Sequence, residues 1–254
     1  MALTRLFIDS ALYSGQRLTL DSEQANYLGR ALRLRTGDSL TVFNADSGDF
    51  VASIETIARS SATILVGESI GSATESPLKI HLVQGVSRGD RMDIVVQKAT
   101  ELGVKRITPV LTEYGVVKLG GDRARKRRDH WQKVAISACE QCGRVRPPLI
   151  DLPLPLKTWF AEMTGESDLD LVLKPGAAAA MTTLTAPATK VCMLIGPEGG
   201  FSEIEYEDAK ISGFLPVTLG PRILRTETAA IAAVTVAQTL WGDLAPAVTT
   251  SRKS

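Results

Sequence analysis

The chain has 254 residues, which is longer than the usual single domain of about 100–150 residues and leaves room for two domains or one large one. Hydrophobic residues make up 44% and charged residues 22%, with 21 Gly and 12 Pro, so the composition excludes a disordered, collagen-like or coiled-coil protein. No window approaches about 18 uninterrupted apolar residues, and the amino terminus has no apolar signal core. We therefore expect no membrane span and predict a cytoplasmic location.

The formal net charge is +1, but the charge is unevenly distributed. Residues 77–148 hold 15 basic and 7 acidic side chains, whereas residues 1–76 hold 6 and 9 and residues 149–254 hold 8 and 12. A neutral protein with one strongly positive third is suited to a polyanion that touches one face, and nucleic acid is the commonest such partner. A solvated basic helix is the alternative explanation.

The first 75 residues are predicted to form a small β-barrel that carries one helix. Strands are predicted at Arg5–Ile8, Arg17–Leu20, Ser39–Asn44, Phe50–Ile57 and Ala62–Ile70. Residues rich in Gly, Asp and Ser separate them, with a hairpin signal at 46–49. The helix follows a capping pair at 21–22. Its apolar face is predicted to consist of Ala25, Leu28, Ala31 and Leu32.

After Pro77 the chain alternates strands and helices, which is typical of a parallel sheet covered on both faces. Strands are predicted at Leu78–Val83, Arg106–Leu111, Leu169–Leu173, Val191–Ile195 and Val217–Leu219. Helices are predicted at about 92–102, Asp122–Gly143, 203–212 and Thr226–Trp241. The last helix is apolar on nearly all sides, which predicts burial against the sheet or a second subunit.

The three cysteines are Cys139, Cys142 and Cys192. Cys139 and Cys142 have the two-residue gap of a metal or redox pair, but no second pair exists to complete a four-ligand zinc site, and neither His81 nor His130 supplies one. The apolar spacing around them predicts instead two small buried side chains on the inner face of one helix. No metal site is expected.

Two loops follow apolar strands, where an open α/β sheet usually binds its ligand. The loop Ile195–Phe201 contains three glycines and a proline, so its backbone groups are open to a flat ligand; as structure alone, it is a β-to-α connection closed by a capping box. The loop Leu219–Thr228 places Arg225 and Glu227 at the start of an otherwise apolar helix. An Arg225–Glu227 pair with a Thr cap is the simpler explanation of that loop.

These loops and four other segments carry a resemblance to a known family. The segments are Gly196–Gly200, Leu219–Ala229, Gln97–Val104, Glu140–Arg144, the Arg-x-Phe start at Arg5 and the stretch Leu28–Gly37. Together they are similar to the bacterial 16S rRNA uridine-N3 methyltransferases of the SPOUT superfamily. The sequence departs from that family's pattern at Arg88, Tyr114 and Cys142.

The resemblance implies an α/β fold: a SPOUT-type, trefoil-knotted parallel sheet with helices on both faces, preceded by a small PUA-like β-barrel domain. It implies an RNA-binding domain at 1–75, a methyltransferase domain at 76–245 and a flexible tail at 246–254. The implied cofactor is S-adenosylmethionine, and the implied partners are 16S rRNA within the small ribosomal subunit and a second copy of the chain, with no membrane.

The resemblance also implies which residues do the work. The cofactor would be held by Leu173, Ile195, Gly196, Pro197, Glu198, Gly199, Leu219, Gly220, Ile223, Leu224, Arg225, Glu227 and Thr228. The catalytic candidates are Arg88, Arg91, Arg144 and Arg225, with Glu140, Glu198 or Glu227 as base or orienting group. RNA would be bound by Arg30, Arg33, Arg35, Arg123, Arg125, Lys126, Arg127 and Arg128.

The implied reaction gives these residue types a physical role. Uracil N3 lies on the pairing edge, so the base must be unpaired before a methyl group reaches it. N3 must also lose its proton, and an arginine can stabilise the charge that spreads onto O2 and O4. Methylation of a ribose 2′-OH, or a non-catalytic ribosome-binding role, are the alternatives. Valine at Gly199 or Gly220 is expected to block cofactor binding and leave the fold intact.

Overall fold

The computed structural model describes residues 4–71, 75–117, 119–185 and 187–244, so the predicted tail at 246–254 lies outside the described residues. The chain divides into two compact units. The first unit contains residues 1–75 together with 139–147, and the second contains 76–138 together with 148–254. Residues 139–147 therefore belong to the first unit, although they are distant from it in sequence. The predicted boundary between residues 75 and 76 does not include this segment in the first domain.

The first unit is built on a five-stranded curled sheet with the order β1-β3-β4-β5-β2. Its strands are β1 Arg5–Phe7, β2 Arg17–Leu20, β3 Ser39–Asn44, β4 Gly48–Ile57 and β5 Ala62–Ser69. All neighbours are antiparallel except β1 and β3, which are parallel. The five predicted strands are confirmed to within two residues at each end. Leu40, Val42 and Ile64 are fully buried and centre the core of this sheet.

The predicted helix of the first unit is shorter than expected. Helix α1 covers Ser22–Asn26, and Asp21 caps it through a capping box with Gln24. A single π-helical turn, Tyr27–Ala31, follows it, and Arg33 at φ 58° lies just beyond that turn. The wider turn rotates Ala31 away from the face that holds Leu28. The prediction of a buried Ala31 is therefore wrong, because its side chain is exposed.

The second unit contains an eight-stranded sheet whose main path is β11-β13-β10-β12-β6-β7-β8, with β9 paired to β7. Its strands are β6 Lys79–Gly85, β7 Arg106–Leu111, β8 Leu149–Ile150, β9 Leu154–Pro155, β10 Leu169–Leu173, β11 Ala179–Ala180, β12 Lys190–Ile195 and β13 Leu215–Thr218. Every pairing is parallel, so the carboxyl ends of all strands meet at one edge. A parallel sheet between helices is the predicted fold class, and it is confirmed.

Helices cover both faces of this parallel sheet. Alternate residues of β12 face opposite sides: Val191, Met193 and Ile195 join one apolar core, and Cys192 and Leu194 join the other. The helices are α2 Arg91–Glu101, α3 Gly121–Cys142, α4 Leu156–Glu162, α5 Glu203–Ile211 and α6 Thr226–Trp241. Helices α2, α3 and α6 contribute to the first core, whereas α4 and α5 contribute to the second. The knot implied by the resemblance stays a prediction, since strand order alone does not define threading.

In the single chain, helix α6 is buried on one face. Ala230, Ala233, Val234 and Ala237 are buried in the core that also contains α2. The opposite side is half-buried or exposed, and Leu240 is 36% exposed. The sheet and α2 therefore cover one face of α6. The apolar residues on the rest of α6 stay partly exposed in the single chain.

One half-buried histidine makes the stability of the second unit sensitive to pH. Burial, and then the positive charge of Arg106, lower the pKa of His81 to about 4 against an opposing effect of Asp151. The unfolded chain binds this proton near pH 6.5, so stability rises with pH between about 4 and 6.5. We expect this residue to lower the free energy of unfolding by about 2–3 kcal/mol between pH 7 and pH 4.5. Urea titrations at both pH values should show that loss in the native chain and a smaller one in His81→Gln.

Candidate cofactor cavity

A cavity of about 540 Å³ lies at the carboxyl edge of the parallel sheet. It is lined by the loops that follow the neighbouring strands β10, β12 and β13, together with the first turns of α2 and α6. This volume lies within the range of about 300–1,000 Å³ that small-molecule sites occupy. The two predicted ligand loops are therefore parts of one cavity.

A glycine at the end of β6 lets one of these loops approach the sheet closely. A Cβ atom at Gly85 would lie 2.4 Å from Pro197 Cδ, 2.5 Å from Pro197 N and 2.9 Å from the Gly196 carbonyl carbon. Atoms at these distances overlap, and the atoms of the loop backbone cannot move aside as a flexible side chain would. Gly85 is thus the residue that permits the loop Gly196–Gly200 to take its position.

Hydrogen bonds join the two loops beneath the cavity. The Thr226 hydroxyl donates to the Gly196 carbonyl at 2.7 Å. The fully buried Gln84 amide donates to Thr226 Oγ1 at 2.9 Å and to the Gly85 carbonyl at 3.1 Å. Because Thr226 begins helix α6, these contacts fix the start of that helix against the end of β12.

Arg91 and two glutamates supply the charges of the cavity. The Arg91 guanidinium bonds Glu198 at 2.5 Å and lies 3.9 Å from Glu227 Oε2. Glu227 Oε2 is buried and has no hydrogen-bond partner. The ion pair of Glu227 is therefore with Arg91 and not with Arg225, which corrects the simpler explanation suggested by the sequence. Arg225 occupies the N-cap position of α6, and its side chain makes no cap hydrogen bond.

Glu198 is held as a carboxylate. Burial acts to raise the pKa of Glu198, but hydrogen bonds from its own backbone N–H, from the backbone N–H of Arg88 and from Arg91 outweigh burial and lower the pKa. The Arg88 backbone bond is 3.0 Å long. A carboxylate with a lowered pKa is a poor proton acceptor, so Glu198 is better suited to orient Arg91 than to remove a proton.

Most of the residues predicted to bind the cofactor line this cavity. Those that line it are Leu173, Ile195, Gly196, Pro197, Glu198, Gly199, Leu219, Ile223, Leu224, Arg225 and Glu227. Gly220 and Thr228 are not among the lining residues. Gly220 turns the chain at φ +100°, and Thr228 lies on the exposed side of α6.

The cavity has a third loop, for which only Leu173 was predicted. Lys174 and Pro175 follow β10 directly, and Tyr206 on α5 stands beside them, with the Lys174 ammonium 4.2 Å from the centre of its ring. The Pro-Gly turn after an apolar strand was the available signal. Gly200, Arg222 and Thr226 also line the cavity and belong to the two predicted loops, whereas Val217, Thr218 and Ala229 lie outside those loops.

The four catalytic candidates occupy different surroundings. Arg91 and Arg225 line the cavity, and Arg88 contributes the backbone N–H that bonds Glu198. Arg144 lies in the first unit, where its buried guanidinium pairs with Glu75 at 3.0 Å. Glu140 is in the first unit also, where it accepts a hydrogen bond from the backbone N–H of Phe7. Burial raises the pKa of Glu140 against the effects of that hydrogen bond and of Arg5.

The predicted RNA-binding residues are mostly exposed. In the first unit, Arg30, Arg33 and Arg35 present their side chains to solvent. On α3, Arg125 pairs with Asp122, and Arg128 pairs with Asp129 at 2.9 Å. Those pairs reduce the repulsion expected along the helix. The remaining members of the basic run are exposed: Arg123, Lys126 and Arg127.

The two glycines chosen from the sequence are poor probes of cofactor binding. A Cβ atom at Gly199 would lie 2.9 Å from Tyr114 Cβ and 3.0 Å from the Tyr114 carbonyl oxygen. Gly220 has space around it, but its φ of +100° is unfavourable for valine. The expectation that valine leaves the fold intact is therefore wrong at both positions, because each change also strains the protein itself.

This chain is similar in sequence to families of known proteins and to individual members of them. A family model described as an RNA methyltransferase domain matches residues 74–238, and a model of an RNA methyltransferase PUA domain matches residues 20–67. Ribosomal RNA small subunit methyltransferase E of Buchnera aphidicola from Acyrthosiphon pisum is 36% identical over 248 residues, which cover 95% of each chain. The chain belongs to this RNA methyltransferase family.

Two solved structures are similar to this chain in fold as well as in sequence. Ribosomal RNA small subunit methyltransferase E from Neisseria gonorrhoeae, bound to S-adenosyl methionine, is 36% identical with a TM-score of 0.86 over 95% of this chain and 99% of its own. A Legionella pneumophila protein in complex with the cofactor SAM is 40% identical, with a TM-score of 0.90 over 96% of this chain and 100% of its own. Within the described residues, no helix is both long enough and apolar enough to span a membrane.

Proposed function

We propose that this protein transfers the methyl group of S-adenosylmethionine to N3 of a uridine in the 16S rRNA of the small ribosomal subunit. The observation that carries the proposal is the cavity at the carboxyl edge of the sheet, where glycine-rich backbone, an apolar wall and the group Arg91, Glu198 and Glu227 come together. Relatives with the same fold bind this cofactor.

The residues present fit S-adenosylmethionine. Leu173, Ile195 and Leu219 offer apolar surface to a flat ring, and the backbone around Gly196 can hydrogen-bond its edge. The cofactor carries positive charge, which suits a cavity whose two carboxylates, Glu198 and Glu227, share one arginine, Arg91. No group of three or more possible metal ligands occurs among the described residues, and binding through these loops requires none.

The cofactor supplies an electrophilic methyl group to the bound nucleotide. The protein has to orient the base and stabilise the negative charge that develops on O2 and O4 when N3 loses its proton. Arg91 is suited to that role because Glu198 holds its guanidinium at the mouth of the cavity. Arg225, exposed at the start of α6, can contact the same base or its phosphate.

Glu227 is the stronger candidate for the proton acceptor. It lines the cavity with a side chain only 16% exposed, and its Oε2 atom receives no hydrogen bond. Glu198, by contrast, accepts hydrogen bonds that lower its pKa. Proton removal at N3 would therefore fall to Glu227, and Glu198 would position Arg91.

The proposal is tested by incubating the protein with methyl-labelled S-adenosylmethionine and small ribosomal subunits that lack the modification. Digestion of the 16S rRNA and mass spectrometry locate the labelled atom. Label on uracil N3 is the expected result, whereas label on a ribose 2′-oxygen assigns the alternative reaction. Binding of the cofactor without any labelled RNA would favour a non-catalytic ribosome-binding factor.

The basic surface of α3 is proposed to bind rRNA phosphates. Arg123, Lys126 and Arg127 are exposed, so a triple change to glutamine should weaken subunit binding and reduce the salt slope by about 0.7 log units per lost contact. Affinity for S-adenosylmethionine should stay the same. Lys210→Gln on α5, another exposed lysine, is the control. An unchanged salt slope would move the RNA contact to Arg30, Arg33 and Arg35.

We also propose that the protein acts as a homodimer in the cytoplasm. One side of α6 carries a stripe of half-buried or exposed apolar residues, Ala232, Val236 and Leu240, which gives a second copy a surface to cover. The family resemblance implies that a partner's Arg144 or Arg91 completes the cavity; in the single chain Arg91 already lines it, and Arg144 is buried beside Glu75. Light scattering should give twice the chain mass, and Val236→Glu should shift it towards the monomer. A concentration-independent monomer in the native chain contradicts this proposal.

A further inference from the structure

A second cavity lies at the opposite, amino-terminal edge of the same parallel sheet. Its volume is about 610 Å³, and it shares no lining residue with the cofactor cavity. The first residues of β6, β7 and β12 form one side, while α4 and the segment 163–167 form the other. The proposed methyl transfer uses nothing at this edge.

Positive side chains line the strand side of this cavity. Lys79, Arg106 and Lys190 are the first residues of three neighbouring strands, and Lys79 lies directly opposite Lys190 in the strand register. Like charges at opposed positions repel each other and weaken a sheet. Both lysines are exposed. Lys79 makes no ion pair with any acidic group in the described ranges, whereas the charge of Lys190 acts on the neighbouring Asp168 carboxylate. Arg106 is bound to Asp151 at 2.7 Å. An anion between the lysines would remove the repulsion.

A neutral imidazole lies beside these charges. The Asp151 carboxylate accepts a hydrogen bond from Arg106 and another from the Thr108 hydroxyl. Because the Thr108 hydroxyl donates to Asp151, it accepts a hydrogen bond from His81 Nε2, at 2.7 Å. This pattern leaves Nδ1 of His81 as a lone-pair acceptor. No hydrogen bond to Nδ1 occurs within the described residues, and His81 lines the cavity, so Nδ1 is available to accept a hydrogen bond from a ligand there. Burial and Arg106 lower the pKa of His81, which keeps the ring neutral.

The helix side of the cavity is apolar and aromatic. Trp159 of α4 meets His81 edge to face, with ring centres 6.1 Å apart, and Leu154 and Met163 extend the wall. Glu162 and Glu166 lie at its exposed rim. A planar group can therefore lie against an apolar surface while its edge reaches a hydrogen-bond acceptor.

We propose that this cavity is a second ligand site, which takes a free nucleoside monophosphate. The base would lie along the half-buried apolar wall of Leu154 and Met163, beside the buried Trp159, and donate an N–H to His81 Nδ1. The phosphate would lie between Lys79 and Lys190. The three features of the site, a paired cationic row, a fixed neutral acceptor and an apolar wall, match the three parts of such a ligand.

The test is isothermal calorimetry on the full chain with AMP, CMP, GMP and UMP, and with inorganic phosphate and adenosine as separate probes. At least one nucleotide should bind to the native chain. The double variant Lys79→Gln, Lys190→Gln should bind that nucleotide with about tenfold lower affinity. His81→Gln should weaken it about fivefold, because glutamine keeps the donor to Thr108 and loses the acceptor at the Nδ1 position. Lys157→Gln, on the exposed side of α4, should bind as the native chain does.

Several results would overturn the proposal. Absence of binding by all four nucleotides at 10 mM would do so, as would binding that both the double lysine variant and His81→Gln leave unchanged. If inorganic phosphate bound as tightly as the nucleotides, the site would recognise only an anion. That result would also contradict the proposal. Each variant is also titrated with S-adenosylmethionine, and binding of this cofactor shows that the variant is folded. The same titration separates a failure of the nucleotide proposal from a failure of the proposed methyl transfer.

Discussion

Replacing Arg91 with methionine is expected to lower kcat for RNA methylation by a factor of about 10²–10³, the usual loss when one preorganised donor to a developing negative charge is removed. Methionine keeps the unbranched stem and removes the guanidinium that Glu198 holds at 2.5 Å. The measurement is single-turnover transfer of labelled methyl to small subunits. Lys98→Met is the matched control, because Lys98 lies on the same helix and pairs with Glu101 outside the cavity lining.

The affinity for S-adenosylmethionine separates two roles of Arg91. Without Arg91, Glu198 and Glu227 lose their common cation, so the site becomes more negative and a positively charged cofactor should bind at least as well. A fall in kcat with an unchanged dissociation constant supports a role towards the base. An unchanged kcat would contradict it, and a loss confined to cofactor affinity would show that Arg91 organises the cavity alone.

Gly85→Ala is expected to destabilise the second unit by about 1–3 kcal/mol and to weaken cofactor binding at least tenfold. The added methyl group would lie 2.4–2.5 Å from atoms of Pro197, so either β6 or the loop Gly196–Gly200 must move. Movement of this loop also breaks the bond from Thr226 to the Gly196 carbonyl. Denaturant unfolding and calorimetry with S-adenosylmethionine measure the two effects.

Gly120→Ala provides the control for that experiment. A Cβ atom at Gly120 would have no heavy atom within 4 Å, and its φ lies outside the left-handed region. We expect no measurable change in cofactor affinity from it. If Gly85→Ala also bound the cofactor normally, the close approach of the loop to β6 would not be needed for the cavity.

The long elements of the fold were predictable because each carries a local signal. Helix α6 and strands β7 and β10 have the predicted ends, and α3 differs by one residue at each end. Each has a sustained apolar period or a clear boundary residue. Strands β8, β9 and β11 have two residues each, too few for a period, and they exist only through pairing with distant strands. Helix α4 is seven residues long and was missed for the same reason.

The sequence by itself determined the parts of the site that are continuous in the chain. Glycines after an apolar strand predicted the loop Gly196–Gly200, and charges at the start of an apolar helix predicted the loop that ends at Thr228. Only the tertiary structure decided that both loops adjoin the turn after β10 and that Arg91 pairs with Glu198 and Glu227. The order β13-β10-β12-β6 brings these segments together. That order comes from parallel pairing between strands far apart in the chain, and local spacing carries no information about which strands pair.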